Sequence, residues 1–316
     1  MKILHYPRNG EPWDVIVLDE QPAPEPAPGQ VLVRLEAMPL HIADLLAIRG
    51  ELGLMPRASG IPGFEGIGRI VSGVPGWPQG TRVLLPIAHG AARELQAHDP
   101  ATLMRVPEGP AAAQLALVRI NLTTAWTLVH AFETLPPGSW IVQNAANSNV
   151  ATYVEALAAR AGLHVLNLVR RPELLAALQR PHVQLDTDVV TLPGPRPLLA
   201  LDAIGGAATA RLGRLVADRG LVLSYGFLSK QPHQLDYPDL VYRGVRLHGM
   251  LTNHPLERMD AVAHARMAAD LQAFIASDGL DAEIAAIYPF ARAAEALRHA
   301  ARTGPDRAGK VILVPE

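Results

Sequence analysis

The sequence predicts an α/β protein of two domains, with a doubly wound parallel-sheet domain inserted into a β-rich one. Three observations carry this. The 316 residues exceed what a single core usually organises. The first third is built of short apolar runs broken by Gly and Pro, a pattern of hairpins and turns. From about Ala111 onward, apolar strand-like runs alternate with helical stretches, as in a parallel sheet covered on both faces.

In chain order, "DVIVLDE" and "QVLVRLEAM" read as strands joined by the Pro-rich turn "QPAPEPAPG". A helix is expected over Ile42–Arg49, stopped by Gly50. "GIGRIVSG" and "GTRVLLPIA" continue the β pattern. "AAAQLALVRINLTTAWTLVHAF" is helical in composition, and "LPPG" ends it. Then come the strand "WIVQN", a helix to Ala161, "HVLNLVR", a helix beginning near Pro172, and "HVQLDT". "LLALDAI", a helix over Ala207–Ala217, "LVLSYG" and "VRLHGML" complete the alternation. The last sixty or so residues hold one or two helices and the strand "KVILVPE", which is expected to rejoin the first domain.

Composition narrows the chemistry. The chain is 49% hydrophobic and 18% charged with a net charge of −2, so no basic face suggests nucleic acid. No apolar run approaches the roughly 18 residues that span a bilayer. A soluble cytoplasmic protein, with no membrane partner, is the expectation. Cysteine is absent, which removes disulfides, thiolate catalysis and thiolate zinc sites. The twelve histidines form no HxH, HExxH or HxxxH pattern, so no metal site is expected.

The stretch "WIVQNAANSNVATYV" has the layout strand, tight polar turn, helix. That layout presents backbone N–H groups to a pyrophosphate, yet this turn contains no glycine. The turn is built instead from Asn, Ala and Ser. Asn tolerates a positive φ best among the other residues, so Asn149 could hold the turn. A polar loop with no ligand is the alternative. The next strand ends in Arg170-Arg171 rather than an acidic residue. Two guanidiniums there suit a 2′-phosphate, and Lys230 follows another strand end at Tyr225-Gly226. NADPH is therefore expected over NADH.

"PLHIADLLAIRGELG", "GFEGIG", "VQNAANSNV", "LDAIGG" and "YGFLSKQP" together resemble the medium-chain dehydrogenase/reductase superfamily. Within it they resemble the zinc-independent quinone reductase and mitochondrial-type 2-enoyl-thioester reductase branch. The resemblance implies a GroES-like catalytic domain over 1–117 and 253–316 and a Rossmann NADPH-binding domain over 118–252. It implies hydride transfer from NADPH to an activated double bond or a quinone, with a small-molecule substrate. It also implies a homodimer joined through "VRLHGML". The zinc-ligating histidine of related alcohol dehydrogenases is replaced by Phe64. A protein of the same fold that binds NADPH without catalysis, as a sensor or scaffold, is the alternative.

Site residues follow from the same resemblance. Thr124, Asn144, Ala146, Asn147, Ser148, Asn149, Val150, Arg170, Arg171, Tyr225, Gly226 and Lys230 would bind cofactor. Asn121 and Thr124 match an "N-x-x-T-A" helix start beside it. His41, Asp44 and Asn121 are the candidate catalytic residues. The sequence departs from the branch at His41, where Asn is usual, and at Leu52, where a tyrosine is usual. It departs again at Leu251, where a Trp is usual. His41 could donate a proton or hydrogen-bond a carbonyl, or be a helix-start residue bonded to backbone. Asp44 could orient His41 or cap the helix. Glu65 is expected to tie its loop to the backbone.

Overall fold

The computed structural model describes residues 1–52, 60–277, 280, 282–302 and 309–316. Gly53, the last residue of one quoted motif, lies outside them. The strands are β1 (Lys2–His5), β2 (Val17–Glu20), β3 (Val31–Pro39), β4 (Ile67–Ser72), β5 (Arg82–Leu84), β6 (Leu95–His98), β7 (Met104–Arg105), β8 (Trp140–Gln143), β9 (His164–Val169), β10 (Val183–Leu185), β11 (Leu199–Asp202), β12 (Leu221–Ser224), β13 (Arg246–Gly249), β14 (Ile284–Pro289) and β15 (Lys310–Val314). The helices are α1 (Pro12–Val15), α2 (Ile42–Arg49), α3 (Ala112–Leu115), α4 (Val118–His130), α5 (Asn149–Arg160), α6 (Leu174–Ala177), α7 (Ala207–Leu215), α8 (Asn253–Arg258), α9 (Ala261–Ala276) and α10 (Ala293–Ala300).

The chain divides into two units, 1–120 with 272–316 and 121–271. The return to the first unit falls inside α9, at Gln272, where the sequence reading placed it at residue 253. One anchor explains the later junction: Trp126 Nε1, in α4, donates to Asp270 Oδ2 at 2.9 Å, holding the first part of α9 in the second unit.

The first unit is built on a sheet in the order β14-β15-β3-β4-β5-β7, with β6 also pairing β3. β15 runs antiparallel to β3, Ile312 opposite Pro39, so the terminal strand closes the domain that the first strands began. Inward residues of β3 (Val31, Val33, Leu35) pack with Leu45 and Ile48 of α2 and Leu297 of α10 in one core. The expected strand "DVIVLDE" is corrected at its start: Pro12 opens α1, which takes Asp14 and Val15, and β2 begins at Val17. Proline at a first helical position presets φ and loses no hydrogen bond.

The second unit is a parallel sheet in the order β10-β9-β8-β11-β12-β13. β8, β11 and β12 are buried along their whole length, which is why they read as unbroken apolar runs. Strand order reverses between β8 and β11, so their carboxyl ends flank the switch point where ligands bind in such sheets. The helix expected near Pro172 is reduced to the single turn α6, with Pro181 following closely. Among the described residues no helix is long and apolar enough to cross a membrane.

Candidate active site and cofactor turn

In the first unit His41 is the residue at which α2 begins. Asp44 closes the helix start: its Oδ2 accepts the His41 N–H and its Oδ1 the Gly63 N–H, both at 2.8 Å. Gly50, at φ 83°, ends α2 in the left-handed conformation that glycine favours. Asp44 is completely buried, and burial raises its carboxyl pKa, against the pull of the His41 charge and of the two backbone N–H groups. Of the two roles open to Asp44, the structure shows the cap; the carboxylate touches backbone and leaves the imidazole to others.

The imidazole belongs to Glu65. His41 Nε2 lies 2.6 Å from Glu65 Oε1, and Glu65 Oε2 accepts the Ile120 N–H at 2.7 Å. His41 Nδ1 lies 3.5 Å from Lys310 Nζ. An ammonium group only donates, so Nδ1 facing it carries the lone pair and the neutral ring holds its proton on Nε2, toward Glu65. Glu65 thus ties its loop to backbone as expected, and also grips His41, which the sequence reading did not anticipate. Nothing in "GFEG" announces a partner in a different element. Leu52 is half-buried.

In the second unit the candidate residues gather along one edge of the sheet, because parallel strands share their carboxyl ends. The turn follows β8, Arg170 and Arg171 follow β9, and Tyr225, Gly226 and Lys230 follow β12. Ser148 caps α5, its Oγ accepting the Ala151 N–H at 3.2 Å. Asn149 and Val150 are the first residues of the helix, where N–H groups have no intrahelical acceptor. The Nδ2 of Asn149 is buried with no hydrogen-bond partner, a donor aimed at no protein atom. Asn147 is exposed and Ala146 buried.

The positive φ of the turn is not at Asn149, as expected, but at Ala145, with φ 48°. Once Ser148 starts the helix, Asn149 must be helical, and the chain reversal moves upstream. Asn144 is also spent inside the protein. Its Nδ2 donates to Asp202 Oδ1 at 2.7 Å and its Oδ1 accepts the Ala203 N–H at 2.8 Å, clasping the ends of β8 and β11. Asp202, which the sequence reading did not single out, also accepts from Ile204 N, Gly205 N and Thr209 Oγ1 and so fixes the loop after β11.

Arg170 is exposed, and Arg171 stands 3.6 Å from Glu173. Gly226 lies so close to the β11 loop that a Cβ would come within 2.5 Å of the Ala203 carbonyl oxygen. The Tyr225 hydroxyl is buried beside Ser148, and burial raises its pKa. Lys230 is exposed, with φ 55°. On α4, Asn121 and Thr124 are both buried, and Thr124 Oγ1 meets Thr252 Oγ1 at 3.0 Å. A helix N-terminus with free N–H groups, an orphaned amide donor and the exposed Arg170 guanidinium at the neighbouring strand end suit a phosphorylated dinucleotide. The residues fit the cofactor that the sequence implied.

Comparison with known proteins gives a concordant result. Residues 27–121 match the alcohol dehydrogenase GroES-like domain. The chain is 32% identical over 267 residues to the mitochondrial enoyl-[acyl-carrier-protein] reductase of Xenopus tropicalis, covering 78% of this chain and 75% of that one. It superposes on Etr1p of Candida tropicalis, solved with NADP and crotonyl-CoA, with a TM-score of 0.85 and 21% identity over 99% of each chain. A Bacillus thuringiensis protein described as an NADPH:quinone reductase gives the same TM-score, 0.85, at 21% identity, covering 99% of this chain and 98% of that one.

Proposed function

The chain belongs to the medium-chain dehydrogenase/reductase superfamily, in its quinone reductase and enoyl reductase branch, and on that premise we propose that it is an NADPH-dependent reductase of activated double bonds or quinones. The observation that carries this is the start of α5, where free backbone N–H groups and the orphaned Asn149 Nδ2 flank the sheet's switch point. NADPH would supply the hydride. In this reading the α5 N-terminus holds the pyrophosphate, and Arg170, Arg171 and Lys230 take the 2′-phosphate. Gly226 lets the end of β12 pack against the β11 loop beside the cofactor, and Asn121 and Thr124 line the nicotinamide side.

His41 is the proton-handling residue of the proposal. Glu65 fixes the ring through Nε2, which leaves Nδ1 as the ring nitrogen available to exchange a proton. Leu52 cannot replace a phenol in this task. Acceptors whose reduced form takes its proton from water, such as quinones, or that His41 can serve, are therefore favoured over enoyl thioesters. We further propose zinc-independent chemistry, supported by Phe64 and the absence of cysteine, and a cytoplasmic location, supported by composition alone. A homodimer through β13 completes the proposal. β13 is the edge of the second sheet and all four of its residues are exposed, an arrangement that invites pairing. Etr1p is itself described as a heterodimer with Etr2p.

The test is two substitutions read across two substrate classes. His41→Ala should lower the enone rate at least about tenfold, a floor set below the roughly 10²–10⁴-fold that general acid–base catalysis typically contributes. Leu52→Tyr should raise enoyl-thioester turnover. No change in His41→Ala on any active substrate would make His41 a helix-start residue alone. Rapid turnover of enoyl thioesters by the unaltered protein would overturn the argument from Leu52.

A further inference from the structure

Arg180 lies in the loop between α6 and β10, in none of the motifs the sequence offered. Its guanidinium is turned toward the cofactor turn. Nη1 donates to the Ala146 carbonyl and Nη2 to Thr152 Oγ1, each at 2.6 Å, and Nε stands 3.3 Å from Glu155 Oε2. Thr152 Oγ1 donates in turn to the Ser148 carbonyl at 3.2 Å. Glu155 Oε1 receives Asn167 Nδ2 at 3.4 Å, and Asn167 Oδ1 receives Gln143 Nε2 at 2.7 Å. One polar chain therefore runs from β8 through β9 to α5 and into the turn, with Arg180 as its end. The Arg180 side chain is only 18% exposed.

The turn needs such a fastening. Ala145 sits at φ 48°, a conformation that an alanine keeps only when its surroundings over-determine it. In a glycine-rich turn the backbone reaches its shape without that cost. Here the carbonyl next to Ala145 is held by a rigid, planar fork whose other arm grips the first turn of α5. A guanidinium makes the two bonds from separate nitrogens fixed in one plane; an ammonium must make every bond from one nitrogen on a flexible stem.

We propose that Arg180 is the positioning residue of the cofactor turn, locking Ala146 to the start of α5 so that the N–H groups of Asn149 and Val150 are set for the pyrophosphate. The proposal rests on the reading of the chain as a nicotinamide-nucleotide-binding protein. It differs from the role of Arg170 in a way that binding can separate. Arg170 acts on the 2′-phosphate, which only NADPH carries. Arg180 acts on the part of the cofactor that NADPH, NADH and ADP share.

The experiment is a fluorescence or calorimetric titration of NADPH, NADH and ADP against the full chain and its Arg180→Met, Arg180→Lys and Thr152→Val variants. Arg180→Met should weaken all three ligands in parallel, by about tenfold or more, with the NADPH-to-NADH ratio unchanged. Arg180→Lys and Thr152→Val each keep part of the fork and should fall between. Amide hydrogen exchange of the ligand-free Arg180→Met protein should quicken over 145–150 and stay slow in β8 and β11. Wild-type affinities in Arg180→Met would overturn the proposal. So would a loss confined to NADPH, which would make Arg180 a 2′-phosphate ligand, or faster exchange throughout the sheet, which would make it a general stabiliser. Failure of the unaltered chain to bind any of the three would instead remove the cofactor reading itself, and the proposal with it.

Discussion

His41 Nε2 and Glu65 Oε1 lie 2.6 Å apart in the interior of the first unit, and Glu65 exposes no surface. The carboxylate's second oxygen takes the N–H of Ile120, so the start of α2, the loop at Gly63–Gly66 and the start of α4 converge on one side chain. A buried donor that loses its acceptor is costly, because neither water nor another group replaces it.

Stability should report this convergence directly. Glu65→Ala should lower the unfolding free energy by about 1–3 kcal/mol for each of the two donors it strands, the His41 Nε2–H and the Ile120 N–H. Glu65→Gln keeps an acceptor for the Ile120 N–H and should lose about 1–3 kcal/mol. Denaturant midpoints of the three proteins decide it; equal midpoints would show that the pair contributes nothing.

A second stability effect depends on pH. His98 ends β6 with its ring buried, and burial, reinforced by the charges of His89 and Arg93, lowers its pKa to about 4. In the unfolded chain an ordinary histidine protonates near pH 6.5. Between those values the unfolded state binds the extra proton, so stability should fall as pH drops from about 6.5 to about 4, by roughly 3 kcal/mol. Its Nε2 has no hydrogen-bond partner to lose, so His98→Leu should fold and flatten that slope. An identical pH profile in the variant would place the dependence elsewhere.

How much of this was legible in the sequence varies with the range of the interaction. α2 is legible at Ile42–Arg49 because its stop signal, Gly50, lies next to the helix itself. The parallel sheet was legible because burial on both faces leaves unbroken apolar runs. The partner of His41 was not, since Glu65 is 24 residues away and meets it only through the fold. The left-handed residue of the turn was misassigned for a related reason. Choosing between Ala145 and Asn149 depends on where the Ser148 cap starts the helix and on Arg180 reaching in from another loop.

Cofactor choice should follow Arg170, the exposed guanidinium at the end of β9. NADPH should bind at least about tenfold more tightly than NADH, and Arg170→Ala should remove most of that preference, since a charge-assisted hydrogen bond is worth roughly 1.5–3 kcal/mol. Fluorescence titration measures both. Equal affinities in the unaltered protein would sink the assignment.

The exposed edge at β13 sets the prediction for assembly. Leu247 lies exposed in the middle of that strand, with Arg246 held by Glu133 of the same unit. Light scattering at micromolar concentration should give a dimer for the unaltered chain and a monomer for Leu247→Asp, which places a charge in the middle of the pairing edge. A monomeric unaltered chain would require another cover for β13.

A reductase of this branch consumes NADPH only when an acceptor is present. The most direct measurement is the loss of nicotinamide absorbance when the purified protein and NADPH meet, separately, a quinone, an enone and an enoyl thioester. Stoichiometric NADPH oxidation is expected with the quinone or the enone, slower oxidation with the thioester, and none without acceptor. Tight NADPH binding with no oxidation in the presence of any of the three would contradict it.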